Sequence, residues 1–256
     1  MSKNIRIMPC LDMQNGRVVK GVHFVDIKDA GDPLACAEAY CAAGADELAM
    51  LDITATVEKR ATLLEVVKRV AAVTTIPFTV GGGIKDVASA VAVVEAGADK
   101  VSTSSAAFRQ PQVIPEMIRE LGVDKVTVAI DVDRNPSLPS GYEVFIDGGR
   151  TATGADALVW ARQVAGYGVR CILPTSKATD GARTGFDLPL IRMIASATQA
   201  EVVASGGAGT MEHFREAAEA GATVLLAASV FHFGLIRIPE LKQYLRTCGF
   251  NLRSMP

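Results

Sequence analysis

The chain has 256 residues, 49% hydrophobic and 21% charged, with a formal net charge of −2. That is enough to bury one large core, a size common for a single α/β barrel, and without a basic block a nucleic-acid surface has no electrostatic support. No run of about 18 uncharged apolar residues occurs, so neither membrane spanning nor export is expected.

Five cysteines (Cys10, Cys36, Cys41, Cys171, Cys248) lack paired metal-ligand spacing, which fits a reduced, cytoplasmic protein with no metal and no cofactor. Ile7-Met8-Pro9-Cys10-Leu11-Asp12 reads as a buried strand that delivers a carboxylate where the apolar pattern stops. A polar, Gly-containing loop carrying Lys20 follows. Strands are expected near 5–12, 46–52, 77–81, 99–103, 124–131, 169–175, 201–205 and 223–228. Helices are expected near 33–43, 61–74, 86–96, 111–121, 155–166, 187–197, 210–220 and 236–247, with starts marked by Asp32-Pro33, Asp86, Gln110-Pro111, Asp187 and Thr210. Eight βα pairs in strict alternation predict an α/β protein, a (βα)8 TIM barrel; alternation alone also fits a doubly wound sheet, and the count favours closure. Gly141-Tyr142-Glu143-Val144-Phe145-Ile146 is expected to form one arm of a hairpin in the loop after the fifth strand.

A repeat strengthens the barrel. Phe78-Thr79-Val80-Gly81-Gly82-Gly83 resembles Val202-Val203-Ala204-Ser205-Gly206-Gly207, and Ala96-Gly97-Ala98 recurs as Ala220-Gly221-Ala222, both at an offset of 124 residues. Val126-Thr127-Val128-Ala129-Ile130-Asp131 repeats the opening strand, with its Asp 119 residues beyond Asp12. Two related halves of four βα units follow, with no linker between them, so residues 1–256 are expected to form one domain.

In such barrels the reactive face lies at the C-terminal strand ends. Those ends carry Asp12, Asp52, Gly81 to Gly83, Ser102 to Ser105, Asp131, Thr175-Ser176, Ser205 to Gly207 and Ala228-Ser229. A single strand-end Asp is as readily a loop cap as a catalyst. The matched pair Asp12 and Asp131 is the better acid/base candidate, since partial desolvation raises a carboxyl toward the working range. Asp52 reads as a supporting group that orients substrate or Lys20. One Gly-Gly pair reads as a tight turn needing positive φ. Its repetition, with hydroxyls at the following strand end, points to two phosphate cups facing each other across the mouth, and so to an elongated substrate with a phosphate at each end. The three histidines show no metal-binding spacing, and Cys10 reads as a small buried residue rather than a nucleophile.

The segments Met8-Pro9-Cys10-Leu11-Asp12, Gly16-Arg17-Val18-Val19-Lys20-Gly21 and Asp29-Ala30-Gly31-Asp32-Pro33 carry a resemblance to the cyclase subunit of imidazole glycerol phosphate synthase, from histidine biosynthesis. The similarity runs on through Gly148-Gly149-Arg150, Ala204 to Gly209 and Phe231-His232-Phe233-Gly234. The resemblance implies a (βα)8 barrel that takes ammonia from a separate glutaminase subunit, in a heterodimer. With it, a bisphosphorylated ribulosyl-formimino aminoimidazole carboxamide ribotide would be converted to imidazole glycerol phosphate and aminoimidazole carboxamide ribotide. Asp12 and Asp131 match the family's acid/base residues, and Lys20 its mobile-loop lysine. Gly82, Ser104 and Ser105 match one phosphate site; Asp180, Gly181, Gly207, Ala228 and Ser229 fall at or near the other, with Thr175 beside them. Arg6, Glu47 and Lys100 match three members of a charged ammonia gate.

Three departures stand out. Ser104-Ser105 replaces Asn-Thr or Asn-Ser, and Lys177-Ala178-Thr179 replaces a stretch that usually carries an acidic residue. Cys171 stands where a glutamate is usual, which on these residues alone leaves two gate cations facing one anion, with Arg170 adding a further positive charge. A sister-type sugar-phosphate isomerase, an ammonia-using paralog and a barrel that only binds are the competing readings.

Overall fold

The computed structural model describes residues 4–14, 17–22, 25–52 and 60–252, with backbone alone for 20–22, 25–30 and 60–62. The first half contains β1 (Asn4–Gln14), β2 (Arg17–Val22), β3 (Val25–Gly31), α1 (Pro33–Ala42), β4 (Leu48–Asp52) and α2 (Arg60–Val73). It continues with β5 (Phe78–Gly81), α3 (Val87–Glu95), β6 (Lys100–Thr103), α4 (Ser105–Arg109) and α5 (Val113–Leu121). The second half contains β7 (Val126–Arg134), β8 (Tyr142–Ile146), β9 (Thr151–Asp156), α6 (Ala157–Gly166), β10 (Cys171–Ser176) and α7 (Leu188–Ala197). Then come β11 (Glu201–Ala204), α8 (Met211–Glu219), β12 (Val224–Ala227), α9 (Ser229–His232), α10 (Ile238–Thr247) and β13 (Asn251–Leu252).

Eight strands close in the order β1-β4-β5-β6-β7-β10-β11-β12 and back to β1, every neighbour parallel. The expected (βα)8 barrel is therefore the fold. Alternation along the strands separates two cores. Ile7, Leu11, Val128, Ile130 and Leu225 face the helices, and Met8, Cys10, Ala49, Leu173, Val203 and Leu226 form a second cluster in the barrel interior.

Sequence signals for helix starts hold where a side chain can cap. Asp32 accepts from the N–H groups of Leu34 and Ala35, and Asp187 from that of Leu190. Asp86 with Ser89, and Thr210 with His213, form reciprocal capping boxes at an offset of 124 residues, so the repeat extends to the caps. Gly97 and Gly221 share φ +111°, and a Cβ there would stand 2.6 Å from Ala71 Cβ and 2.8 Å from Ala195 Cβ. The turn entering the next strand can lie this close to the preceding helix only without a side chain.

Two expectations need correction. Gln110-Pro111 stands two residues short of the helix start: Gln110 ends the short α4, and the N–H groups of Val113 and Ile114, the first two residues of α5, bond to the Gln110 and Pro111 carbonyls. The Lys20 loop is also more ordered than its polarity implies, because β2 pairs antiparallel with an extended β1 and with β3. Val18 and Val19, both buried, give that hairpin its apolar contact. The hairpin arm expected at 141–146 is present as β8, paired with β7 on one side and β9 on the other. Both half-barrels thus open with a long strand that rises past the rim into an antiparallel hairpin.

Candidate active site

Asp12 on β1 and Asp131 on β7 sit four strands apart in the eight-strand ring, on opposite sides of the mouth formed by the C-terminal strand ends. Asp12 stands in register with Leu51, and the Cys10 thiol donates to Asp12 Oδ1 at 3.3 Å. Asp131 lies between Phe145 of β8 and Thr175 of β10. Burial, reinforced by the nearby Asp180 carboxylate, pushes the Asp131 carboxyl up to about 6, with Lys177 pulling the other way. Lys177 holds its ammonium 3.6 Å from the Phe145 ring centroid and 3.5 Å from Asp133 Oδ2. A cation that the sequence offered only as a departure therefore stands at the rim beside Asp131.

The two glycine-rich turns are built by close approach of backbone. At Gly82 (φ +91°) a Cβ would lie 2.2 Å from the Asp52 carbonyl oxygen, and at Gly207 (φ +108°) 2.0 Å from that of Gly185. Asp52 thus bears on the first cup through its main chain. Gly206 packs on Thr175 and Asp180, and the Thr179 hydroxyl donates to its carbonyl at 3.2 Å, which brings the Asp180-Gly181 turn to the second cup.

Ser104 and Ala228 precede the short helices α4 and α9 without a side-chain cap, leaving the first N–H groups of both without that partner. The next residues, Ser105 and Ser229, again 124 apart, each accept a hydrogen bond at Oγ. Ser105 takes the Asp147 N–H at 2.8 Å, and Ser229 takes Arg183 Nε at 3.4 Å. Arg183 was missed by sequence reasoning; its place just after Asp180-Gly181 was the available signal. For Lys20 the β2 backbone, in register with Lys28, is described, and its side chain lies outside the described residues.

The opposite end, the foot of the barrel, gathers Arg6, Glu47, Lys100 and Cys171. Glu47, with its side chain 4% exposed, accepts from Arg6 Nη1 at 2.7 Å and from Lys100 Nζ at 3.0 Å. The expected imbalance of two cations against one anion is corrected by Glu201, which accepts from Arg6 Nη2 at 2.7 Å. Burial opposes the Arg6 charge, but the Glu201 hydrogen bond and Glu47 outweigh it and hold the guanidinium above its ordinary value. Arg170 is spent elsewhere, pairing with Asp124 at 3.0 Å on the exposed surface. Burial pushes the Cys171 thiol up to about 11, against the Thr127 hydrogen bond and Lys100, so it stays neutral at pH 7. Above this ring the bore is lined by uncharged residues, among them the buried Thr79 hydroxyl, which has no hydrogen-bond partner among the described residues.

Among the described residues no group of three or more His, Cys, Asp or Glu could hold a metal, and no helix is long and apolar enough to cross a membrane. Fold and site together define a twofold-repeated (βα)8 barrel with opposed carboxylates and two glycine-rich turns at its mouth. The chain belongs to the family described as histidine biosynthesis protein, whose model matches residues 6–237. It is 49% identical over 255 residues to the imidazole glycerol phosphate synthase subunit HisF of Salinispora tropica, covering 99% of this chain and all of that one. It is 48% identical over 257 residues to the subunit of the same name from Nocardia farcinica, again covering 99% of this chain and all of the relative.

Proposed function

We propose that the chain, acting as one barrel domain in the cytoplasm, is the cyclase (lyase) subunit of an imidazole glycerol phosphate synthase. It uses ammonia from a glutaminase partner in a heterodimer. Its substrate is a bisphosphorylated ribulosyl-formimino aminoimidazole carboxamide ribotide, released as imidazole glycerol phosphate and aminoimidazole carboxamide ribotide. The observation that carries this reading is the opposed Asp12 and Asp131 between two glycine- and serine-built cups, in a chain that matches such subunits over nearly its whole length.

The two cups suit the two phosphates. Gly82, Ser104 and Ser105 with the start of α4 take one, and Gly207, Ala228 and Ser229 with the start of α9 and Arg183 take the other. Ring closure with cleavage needs a proton given on one face and taken on another. Asp131, whose carboxyl titrates near 6, keeps a protonated fraction near neutrality and is the donor. Asp12, which accepts from the Cys10 thiol, is the acceptor. Asp180 sustains the raised Asp131 carboxyl, Gly181 and Thr175 shape the turn beside it, and Lys20 and Asp52 serve on the first-half rim. Ammonia enters at the foot through the ring of Arg6, Glu47 and Lys100 and crosses the uncharged bore.

Product analysis tests the reading. Purified chain given the bisphosphate and ammonium should form both products, and should accept glutamine only when the glutaminase subunit is present. Turnover of an isomerase substrate instead, or ligand binding without products, would refute it.

A further inference from the structure

Four charges converge at the foot of the barrel: Arg6 from β1, Glu47 from just before β4, Lys100 from β6 and Glu201 from β11. Arg6 uses both arms of its fork, one on Glu47 and one on Glu201, each at 2.7 Å, whereas Lys100 reaches Glu47 at 3.0 Å. Glu201 stands in register beside Cys171 on the adjacent strand. Relative to a ring with its carboxylate at position 171, the negative charge has moved one strand along, to a place that Arg6 reaches.

The pairing has consequences for the ring. A guanidinium held at both arms by two carboxylates is fixed in plane and in direction. Glu47 is nearly inaccessible to water, so an Arg6 free to swing outward would leave a buried carboxylate with Lys100 alone and draw water to the bore. With Glu201 in place two cations meet two anions, and Cys171 can remain a small, neutral part of the wall.

We propose that Glu201 is the positioning residue that closes the foot of the bore, holding Arg6 against Glu47 so that ammonia delivered there passes inward instead of escaping to water. This rests on the reading of the foot as the ammonia side. The sequence hides the residue, because Glu201 occupies the place of Pro77 in the first half-barrel and looks like an ordinary exposed strand start.

The test uses the complex with the glutaminase subunit and compares Glu201→Gln, Glu47→Gln and the double variant Cys171→Glu/Glu201→Gln. Two quantities are read: glutamate released per imidazole glycerol phosphate formed, and the ratio of glutamine-driven to ammonium-driven rates. Glu201→Gln should raise the first and lower the second by about three- to tenfold, and the double variant should recover at least half of that loss by returning a carboxylate to the ring. A purely structural role would lower both rates together and leave glutamate per product at its original value, which would overturn the proposal. An unchanged Glu201→Gln beside an uncoupled Glu47→Gln would overturn it as well, as would a double variant that recovers nothing. If Glu47→Gln is also coupled normally, the reading of the foot as the ammonia side itself fails.

Discussion

The two ends of the barrel treat charge in opposite ways. At the foot, buried carboxylates are matched: Glu47 by Arg6 and Lys100, and Asp46 by Lys242 at 2.7 Å together with the Ile7 N–H at 2.8 Å. At the mouth, burial pushes the Asp131 carboxyl up to about 6, and the nearby Asp180 carboxylate adds to the push. Matching charge holds the strands in place, and burial of a carboxyl beside another leaves a proton available near neutral pH. Buried ion pairs thus brace the strand starts, while near the strand ends the Asp131 carboxyl is held above its ordinary value.

Breaking the mouth should have the largest effect. Asp12→Asn and Asp131→Asn are each expected to lower ammonium-driven turnover by about a thousandfold, roughly 4 kcal/mol of transition-state stabilisation. Steady-state rates at fixed free ammonia check this, and a loss smaller than about tenfold would remove the residue from the acid/base pair.

Breaking the foot should cost stability instead. Lys242→Met leaves Asp46 buried without its cation, and the fold should lose about 3 kcal/mol in denaturant titration. Turnover per folded molecule should be unchanged; a variant as stable as the parent would show that the pair is not a brace.

Gly207→Ala lies between these cases. Its Cβ would collide with the Gly185 carbonyl oxygen at a φ of +108°, so a shift of the second cup is unavoidable. The expected result is a rise in KM of about tenfold with a stability loss on the order of 1–2 kcal/mol.

A smaller effect sharpens the contrast through pH. Unfolded, the Asp131 carboxyl titrates near 3.8; folded, near 6, so the folded state binds the proton more tightly. Its contribution to stability is complete below 3.8 and is lost as pH rises through about 6. Asp131→Asn should therefore be more stable than the parent at pH 8, by on the order of 1 kcal/mol because the site is partly solvated, and no more stable at pH 3.5. Thermal melts at the two pH values decide it. Smallest of all, Lys177→Ala should move the Asp131 titration upward by less than about one unit, since it removes a nearby cation at a half-exposed rim.

How much of this was legible in the sequence follows from the range of each interaction. Asp12 and Asp131 announced themselves because each interrupts an apolar run, and the caps Asp32, Asp86, Asp187 and Thr210 because a cap acts within three residues. The barrel came from the count and the repeat. Glu201 did not, because its partner Arg6 is 195 residues away and becomes a neighbour only when the ring closes. The same holds for Asp180 acting on Asp131, and for Arg183 reaching Ser229. The β2–β3 hairpin looks like loop in the sequence because its apolar signal is little more than Val18 and Val19, and the extended β1 supplies the edge it pairs with.

The contrast between foot and mouth rests most directly on the Asp131 carboxyl. Carbon-13 NMR titration of labelled aspartate, with Asp131→Asn to assign the resonance, reads that group alone. The contrast requires a midpoint near 6. A midpoint near the ordinary aspartate value of about 4 would contradict it.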